Sequence, residues 1–183
     1  MAGALDGLAR PEEAIEELKT ALAKSPAGPN LHFAIGYIYW TQQKDEDAER
    51  EFRLELARDP GNAQAWAWLA DVLIRKNDFQ EAKPLLDKAL SLDPAVRIAY
   101  LDRGIVFAQD NRYDRAVAAF KAAIRLDNSK TDAHVRLARV YRDAGKPEAA
   151  AAELAIVRQF GEQENKDSLR NVTRQQLGLD PNK

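Results

Sequence analysis

The sequence has no cysteine, only two histidines and a single methionine in 183 residues. Without cysteine there is no disulfide framework, no thiolate nucleophile and no cysteine metal site. No apolar run is long enough to span a bilayer, so membrane insertion by this chain is not expected, and no secretory signal opens the amino terminus. An excess of one charge is also missing. Lys and Arg total 27 and Asp and Glu 29, for a net charge of −2, and the signs are interspersed. That balance argues against nucleic-acid binding by phosphate neutralisation. The sequence also lacks a phosphate-binding glycine loop, a dinucleotide turn and a nucleophile elbow. No cofactor and no catalytic residue is therefore expected, and the chain reads as a non-enzyme.

What the sequence does have is a period. Ala14, Ala48, Ala82, Ala116 and Ala150 recur at one interval of 34 residues. Four residues after each alanine stand Leu18, Phe52, Leu86, Phe120 and Leu154, and nine before stand Leu5, Tyr39, Leu73, Phe107 and Tyr141. Twelve before stand Ala2, Gly36, Ala70, Gly104 and Ala138. Small and large residues keep separate columns, which is the mark of a packing code. A fixed step of this size indicates a repeat array, and such arrays serve as binding scaffolds more often than as catalysts.

Each unit divides into two helices. Trp66, Leu69, Ala70 and Leu73 share one helical face, and Ala82, Leu85, Leu86, Ala89 and Leu90 share the next. Between them Lys76-Asn77-Asp78 is a polar break, and Asp78 with Glu81 has the spacing of a capping box. Pro26, Pro60 and Pro94 close second helices, because the residue before proline is biased away from helical geometry. Pro11 and Pro147 occupy first-turn positions, where a missing N–H costs nothing. The small columns imply close approach of paired helices, with Gly36, Ala70, Gly104 and Ala138 meeting Ala48, Ala82, Ala116 and Ala150.

The unit from Ala63 to Val96 resembles a tetratricopeptide repeat, with Trp66 in the fourth slot, Leu69-Ala70, Leu73, Ala82, Leu86, Ala89 and Pro94. The resemblance extends over Pro11 to Phe160. It implies an all-α, right-handed solenoid of stacked antiparallel helix pairs. The expected divisions are a partial repeat at 1–28, repeats at 29–62, 63–96, 97–130 and 131–161, and a capping helix with a tail at 162–183. Arg103, Glu55 and Asn128 depart from the pattern, which prefers leucine, alanine and proline there. Pro84 lies inside a second helix, where it removes a backbone bond to Gln80. Met1 to Ala9 match only the back half of a first helix, with Leu5 and Gly7 in register. A longer parent protein or a degenerate first helix would explain that. From Glu162 to Leu177 a separate, mostly polar helix is expected, with Leu169, Val172 and Leu177 as a sparse apolar stripe.

His32 and His134 share the fourth slot with Trp66 and Tyr100. That register favours packing over metal or acid–base chemistry, and no metal site is expected. The acidic clusters Glu12-Glu13, Glu16-Glu17 and Asp45 to Asp47 suit helix amino termini. The resemblance also implies that the first helix of each repeat lines a concave groove that grips a partner. Its groove slots here hold Phe33, Tyr37 and Trp40, then Asp71 and Ile74 with Trp68 and Arg75 beside them. Leu101 and Ile105 follow, then Arg139 and Arg142 with Arg136 adjacent. The expected ligand is a protein or peptide segment, apolar where it meets Phe33 to Ile105 and acidic where it meets the arginines. For those arginines, ordinary solvated charge is the competing reading.

The stretch Leu31 to Trp40 is nearly all apolar, and Phe33, Tyr37 and Trp40 form a stripe apart from His32, Ile35, Gly36 and Tyr39. A helix apolar all round needs cover all round. A neighbouring side chain, a second protomer or a ligand would each provide it. Chaperone-tail-binding members of the family clamp a terminal carboxylate with lysine, asparagine and arginine. The matching positions here are Phe33, Tyr37, Trp68, Ile98 and Asp102, so no such clamp is expected. The leading reading is an interaction scaffold. The alternatives are self-association into a homo-oligomer through the apolar groove or the open amino-terminal end, and a regulatory or targeting part of a larger enzyme.

Overall fold

The computed structural model describes residues 10–25 and 28–176, with the backbone alone at 167–169 and 171–176. Leu5, Gly7, Pro26 and Leu177, and the side chains of Leu169 and Val172, lie outside the described residues. Among the described residues there are nine helices and no strand. They are α1 (Pro11–Lys24), α2 (Leu31–Thr41), α3 (Asp45–Arg58), α4 (Ala63–Arg75), α5 (Phe79–Leu92), α6 (Arg97–Gln109), α7 (Tyr113–Leu126), α8 (Asp132–Asp143) and α9 (Pro147–Gln176). The chain divides into two compact units, Met1–Val106 and Phe107–Lys183. In the first, α1 packs on α2, α2 pairs with α3, α4 pairs with α5, and α4 lies on α3. In the second, α7 packs on α8 and α8 pairs with α9.

The turn within each repeat has one backbone solution, used four times. Gln43, Asn77, Asn111 and Gly145 all have positive φ, and they too stand 34 residues apart. The next N–H reaches back to the large-residue column: Lys44 to the Tyr39 carbonyl, Asp78 to Leu73, Arg112 to Phe107 and Lys146 to Tyr141, at 2.8–3.0 Å. This is the Schellman closure, which satisfies carbonyls that a helix end leaves orphaned. Second helices close differently. Asp59, Asp93 and Asp127 each accept from the N–H two residues on, at Gly61, Ala95 and Ser129. The aspartate acts whether the next residue is Pro60, Pro94 or Asn128, so losing proline at Asn128 does not open the turn.

The packing columns are buried in the inner repeats. Ala48, Ala82 and Ala116 are fully buried, and so are Phe52, Leu86 and Phe120 to within 1%. A Cβ placed on Gly36 would lie 3.0 Å from the Phe52 ring and 3.2 Å from the Glu51 Cβ, so the glycine makes room for an aromatic ring. The capping box at α5 is half made. The Asp78 side chain accepts from the Glu81 N–H at 3.1 Å, but the Glu81 carboxylate turns to Arg53 instead. Pro84 is accommodated in an unbroken, solvent-facing stretch of α5. Arg103 projects to Asp87 at 3.1 Å rather than filling an apolar slot.

The end of the chain differs from expectation. The second helix of the last repeat and the expected capping helix are one helix, Pro147–Gln176. Aspartate turns close α3, α5 and α7, whereas Phe160-Gly161-Glu162 has no aspartate and no proline. A lone mid-helix glycine costs about 1 kcal/mol, too little to end the helix.

Candidate protein-interaction surface

In the first unit the structure gathers Tyr37 and Trp40 from α2 with Trp68, Asp71 and Arg75 from α4. Tyr37 stacks on Trp40 at 5.6 Å between ring centroids, and Trp68 meets Tyr37 and Trp40 edge-on at 5.1 and 4.5 Å. Such aromatic pairs contribute about 0.5–1.5 kcal/mol each beyond area burial. The Trp40 indole N–H donates to Asp71 Oδ2 at 2.5 Å. The Arg75 guanidinium lies 5.0 Å from the Trp40 ring centroid and donates to the Trp40 carbonyl at 3.3 Å. It also pairs with Asp45 at the start of α3 and stands 3.8 Å from Asp71. Three helix ends are thus tied through one tryptophan and one arginine.

The apolar stripe on α2 is therefore covered in large part by its own neighbours. Phe33 tilts against the core ring of Phe52 at 5.7 Å. Trp40 is held on both its ring face and its N–H, so its truncation is expected to loosen the fold as well as the surface. Tyr37, Trp68 and Ile105 remain half-buried and keep surface to offer, whereas Ile74 and Leu101 are buried. Asp102, at one of the clamp positions, is a fully buried carboxylate on α6.

In the second unit Arg136, Arg139 and Arg142 are all exposed on α8. They line an open cleft of about 550 Å³ together with Asp132, Val135, Ala138, Ala150 and Leu154. Arg139 has only a loose pairing with Asp143, at 3.9 Å.

Several residues that matter here were not singled out as site candidates in the sequence. His32 Nδ1 meets Glu51 Oε2 at 2.8 Å, and His134 Nδ1 meets Glu153 Oε2 at 2.6 Å. The offset is nineteen residues in both cases. Nineteen residues after the other two fourth-slot residues the sequence has apolar positions, Leu85 after Trp66 and Ala119 after Tyr100. A glutamate appears only where the slot holds histidine, a pairing visible once the columns are compared. The Trp66 indole N–H instead donates to the Pro60 carbonyl at 2.9 Å. Glu55, where the repeat pattern prefers alanine, caps α2 from the neighbouring helix by accepting from the Phe33 N–H at 3.1 Å. Asn30, the residue before α2, has positive φ and makes no side-chain cap bond of its own. Among the described residues no group of three or more His, Asp or Glu could hold a metal ion.

Glu49 joins α3 to the end of α4. Its partial burial would raise the carboxyl pKa, but hydrogen bonds from Lys76 at 2.7 Å and Arg53 at 2.9 Å outweigh this and hold it below the ordinary value. Arg53 is pushed up mainly by its bond to Glu81, and partial burial opposes that rise.

Sequence comparison places this architecture in a known class. Tetratricopeptide-repeat models match residues 1–63, 46–95, 68–131 and 107–166, and the chain belongs to the tetratricopeptide-repeat family. Among relatives, the chain is 29% identical over 184 residues to a TPR repeat-containing protein of Treponema pallidum, covering 99% of this chain and 22% of that protein. It is 32% identical over 102 residues to the TPR repeat-containing thioredoxin TTL4 of Arabidopsis thaliana, covering 56% of this chain and 15% of the relative. The chain thus spans less than a quarter of either relative. The solved structure of TTC0263, a thermophilic TPR protein of Thermus thermophilus, aligns with a TM-score of 0.73 at 20% identity, covering 92% of each chain. The fold class is all-α, of the TPR solenoid type, and a TPR fold is that of a protein–protein interaction module. Among the described residues no helix is long and apolar enough to cross a membrane.

Proposed function

We propose that the chain is a non-enzymatic scaffold that binds a partner peptide or helix on the surface formed by its first helices. The observation that carries this reading is the aromatic patch of Tyr37, Trp40 and Trp68. Trp40 is fixed by Asp71 and Arg75, and Tyr37 and Trp68 pack against it yet keep part of their surface in solvent. Rigid aromatic side chains that need no reordering are the anchors on which protein interfaces concentrate their energy. Ile105 adds apolar surface in the same unit. Asp71 and Arg75 supply a polar rim that would set orientation. The arginines of α8 form a second, basic contact surface in the other unit.

Selection from a displayed peptide library against the full chain tests this. Enriched peptides should carry apolar or aromatic residues, and Tyr37→Ala or Trp68→Ala should weaken their binding roughly tenfold while the helical signal persists. Peptides that bind both variants as well as the parent would rule out the aromatic patch as the binding surface.

A further inference from the structure

Leu154 stands in the column of Phe52, Leu86 and Phe120, each at most 1% exposed, yet it is 44% exposed. Val135 breaks its column in the same way. Ala67 and Leu101 are buried there, whereas Val135 is 47% exposed. Elsewhere this face of a repeat is covered by the first helix of the next, as α4 lies on α3 and α8 on α7. Among the described residues no first helix follows α9, and α9 cannot supply the cover itself. It runs without a turn to Gln176, and at about 1.5 Å per residue the stretch after Gly161 continues roughly 22 Å along its own axis instead of folding over α8. What remains is the open cleft of about 550 Å³, with Ala138 and Ala150 at its base and three exposed arginines along α8.

We infer that this face docks an acidic amphipathic helix of a partner protein. The inference deepens the scaffold reading and rests on it. The shape selects a helix, because the same columns receive one within the chain. Alanines at the base admit close backbone approach, and Val135 and Leu154 meet the helix's apolar stripe. The charge selects its flanks, since Arg136, Arg139 and Arg142 outnumber Asp132 on the cleft. Glutamates beside the stripe would take guanidinium hydrogen bonds in the bidentate geometry that suits carboxylates. A basic helix of equal apolarity would be repelled, which makes the arginines the element of specificity.

Two fluorescently labelled synthetic helices test this. Both carry an apolar stripe with the spacing of Trp66, Leu69, Ala70 and Leu73. One carries glutamate and the other lysine at the remaining positions. In anisotropy titrations with the full chain, the glutamate helix should bind roughly tenfold more tightly than the lysine helix. Its affinity should fall as salt rises from about 50 to 300 mM. Leu154→Asp should weaken binding roughly tenfold without lowering the Tm, because Leu154 is already largely in water. The triple variant R136E/R139E/R142E should reverse the preference, and it keeps the test valid if Leu154→Asp disturbs α9. Failure of the glutamate helix to bind, equal binding of both, or binding that survives both variants would overturn the inference. So would sedimentation showing a dimer that Leu154→Asp dissolves, which would assign the face to a second copy. Tyr37→Ala should leave this affinity unchanged. If it abolishes binding instead, the helix uses the aromatic patch, and the scaffold reading survives while this inference fails.

Discussion

Gly36 and Phe52 approach so closely that a Cβ on the glycine would stand 3.0 Å from the phenyl ring. Phe52 is fully buried, and its ring also packs against Phe33 at 5.7 Å, so it has little room to retreat. Gly36→Ala should destabilise the first unit by about 1–3 kcal/mol, as overpacked cores do. Chemical denaturation followed by circular dichroism measures this. The companion change Ala70→Gly should also destabilise, by about 1 kcal/mol through helix propensity, and more where it leaves a void.

Gln43 is the least suited member of its column. Asn77, Asn111 and Gly145 fill the equivalent positive-φ positions with residues that tolerate that backbone, and Gln43 does so at φ 58°. Gln43→Gly should stabilise by about 0.5–1 kcal/mol and raise the Tm by roughly 2–4 °C in a chain of this size. Gly145→Ala should do the reverse. An added Cβ there meets nothing within 4 Å, so its cost is backbone strain alone. Calorimetry on both variants separates the backbone effect from packing.

The His134–Glu153 contact should behave as a replaceable unit. Glu153→Ala leaves a buried ring nitrogen without its partner and should cost about 1–3 kcal/mol. The double variant His134→Trp with Glu153→Leu borrows the combination of Trp66 and Leu85 and should recover most of that loss. A double-mutant cycle in urea would show the coupling. Additive single effects would mean that the two residues do not act together.

Glu49 sets an acid limit on the junction of α3 and α4. Its folded pKa lies below the ordinary 4.5, and burial opposes that shift while Lys76 and Arg53 drive it. A carboxylate with a depressed folded pKa contributes stability above its unfolded pKa and loses it as pH falls through the lower, folded value. Glu49→Gln should therefore be less stable than the parent at neutral pH, and the gap should narrow below about pH 4.5 and close in stronger acid. Urea titrations of both proteins from about pH 7 down to about pH 3 would reveal it.

Much of the fold can be read directly from the chain. The alanine and large-residue columns at 34-residue spacing place the helix faces, and the burial of Ala82, Leu86, Ala116 and Phe120 follows from stacking that pattern. The turn column of Gln43, Asn77, Asn111 and Gly145 is equally periodic, but its residues differ in type and share only a backbone angle. Composition therefore hides it. The candidate surface was less legible. A helical wheel shows Trp40 facing away from the repeat core, but it cannot show that Asp71 and Arg75 from α4 reach across to hold it. Phe33 and Tyr37 share one stripe in sequence, yet one turns to Phe52 and the other to Trp68.

The sequence alone determined the repeat length, the two-helix unit, the turn positions and which columns are small or large, because these depend on local geometry and a fixed period. Tertiary structure alone decided that Glu55 on α3 caps α2, that His32 and His134 each face a glutamate, and that the aromatic stripe is mostly clothed by α4. It also decided that α9 continues to Gln176 and leaves Leu154 in solvent. These outcomes depend on side chains distant in sequence competing for the same space and the same hydrogen bonds, and that competition is settled only when the helices are packed.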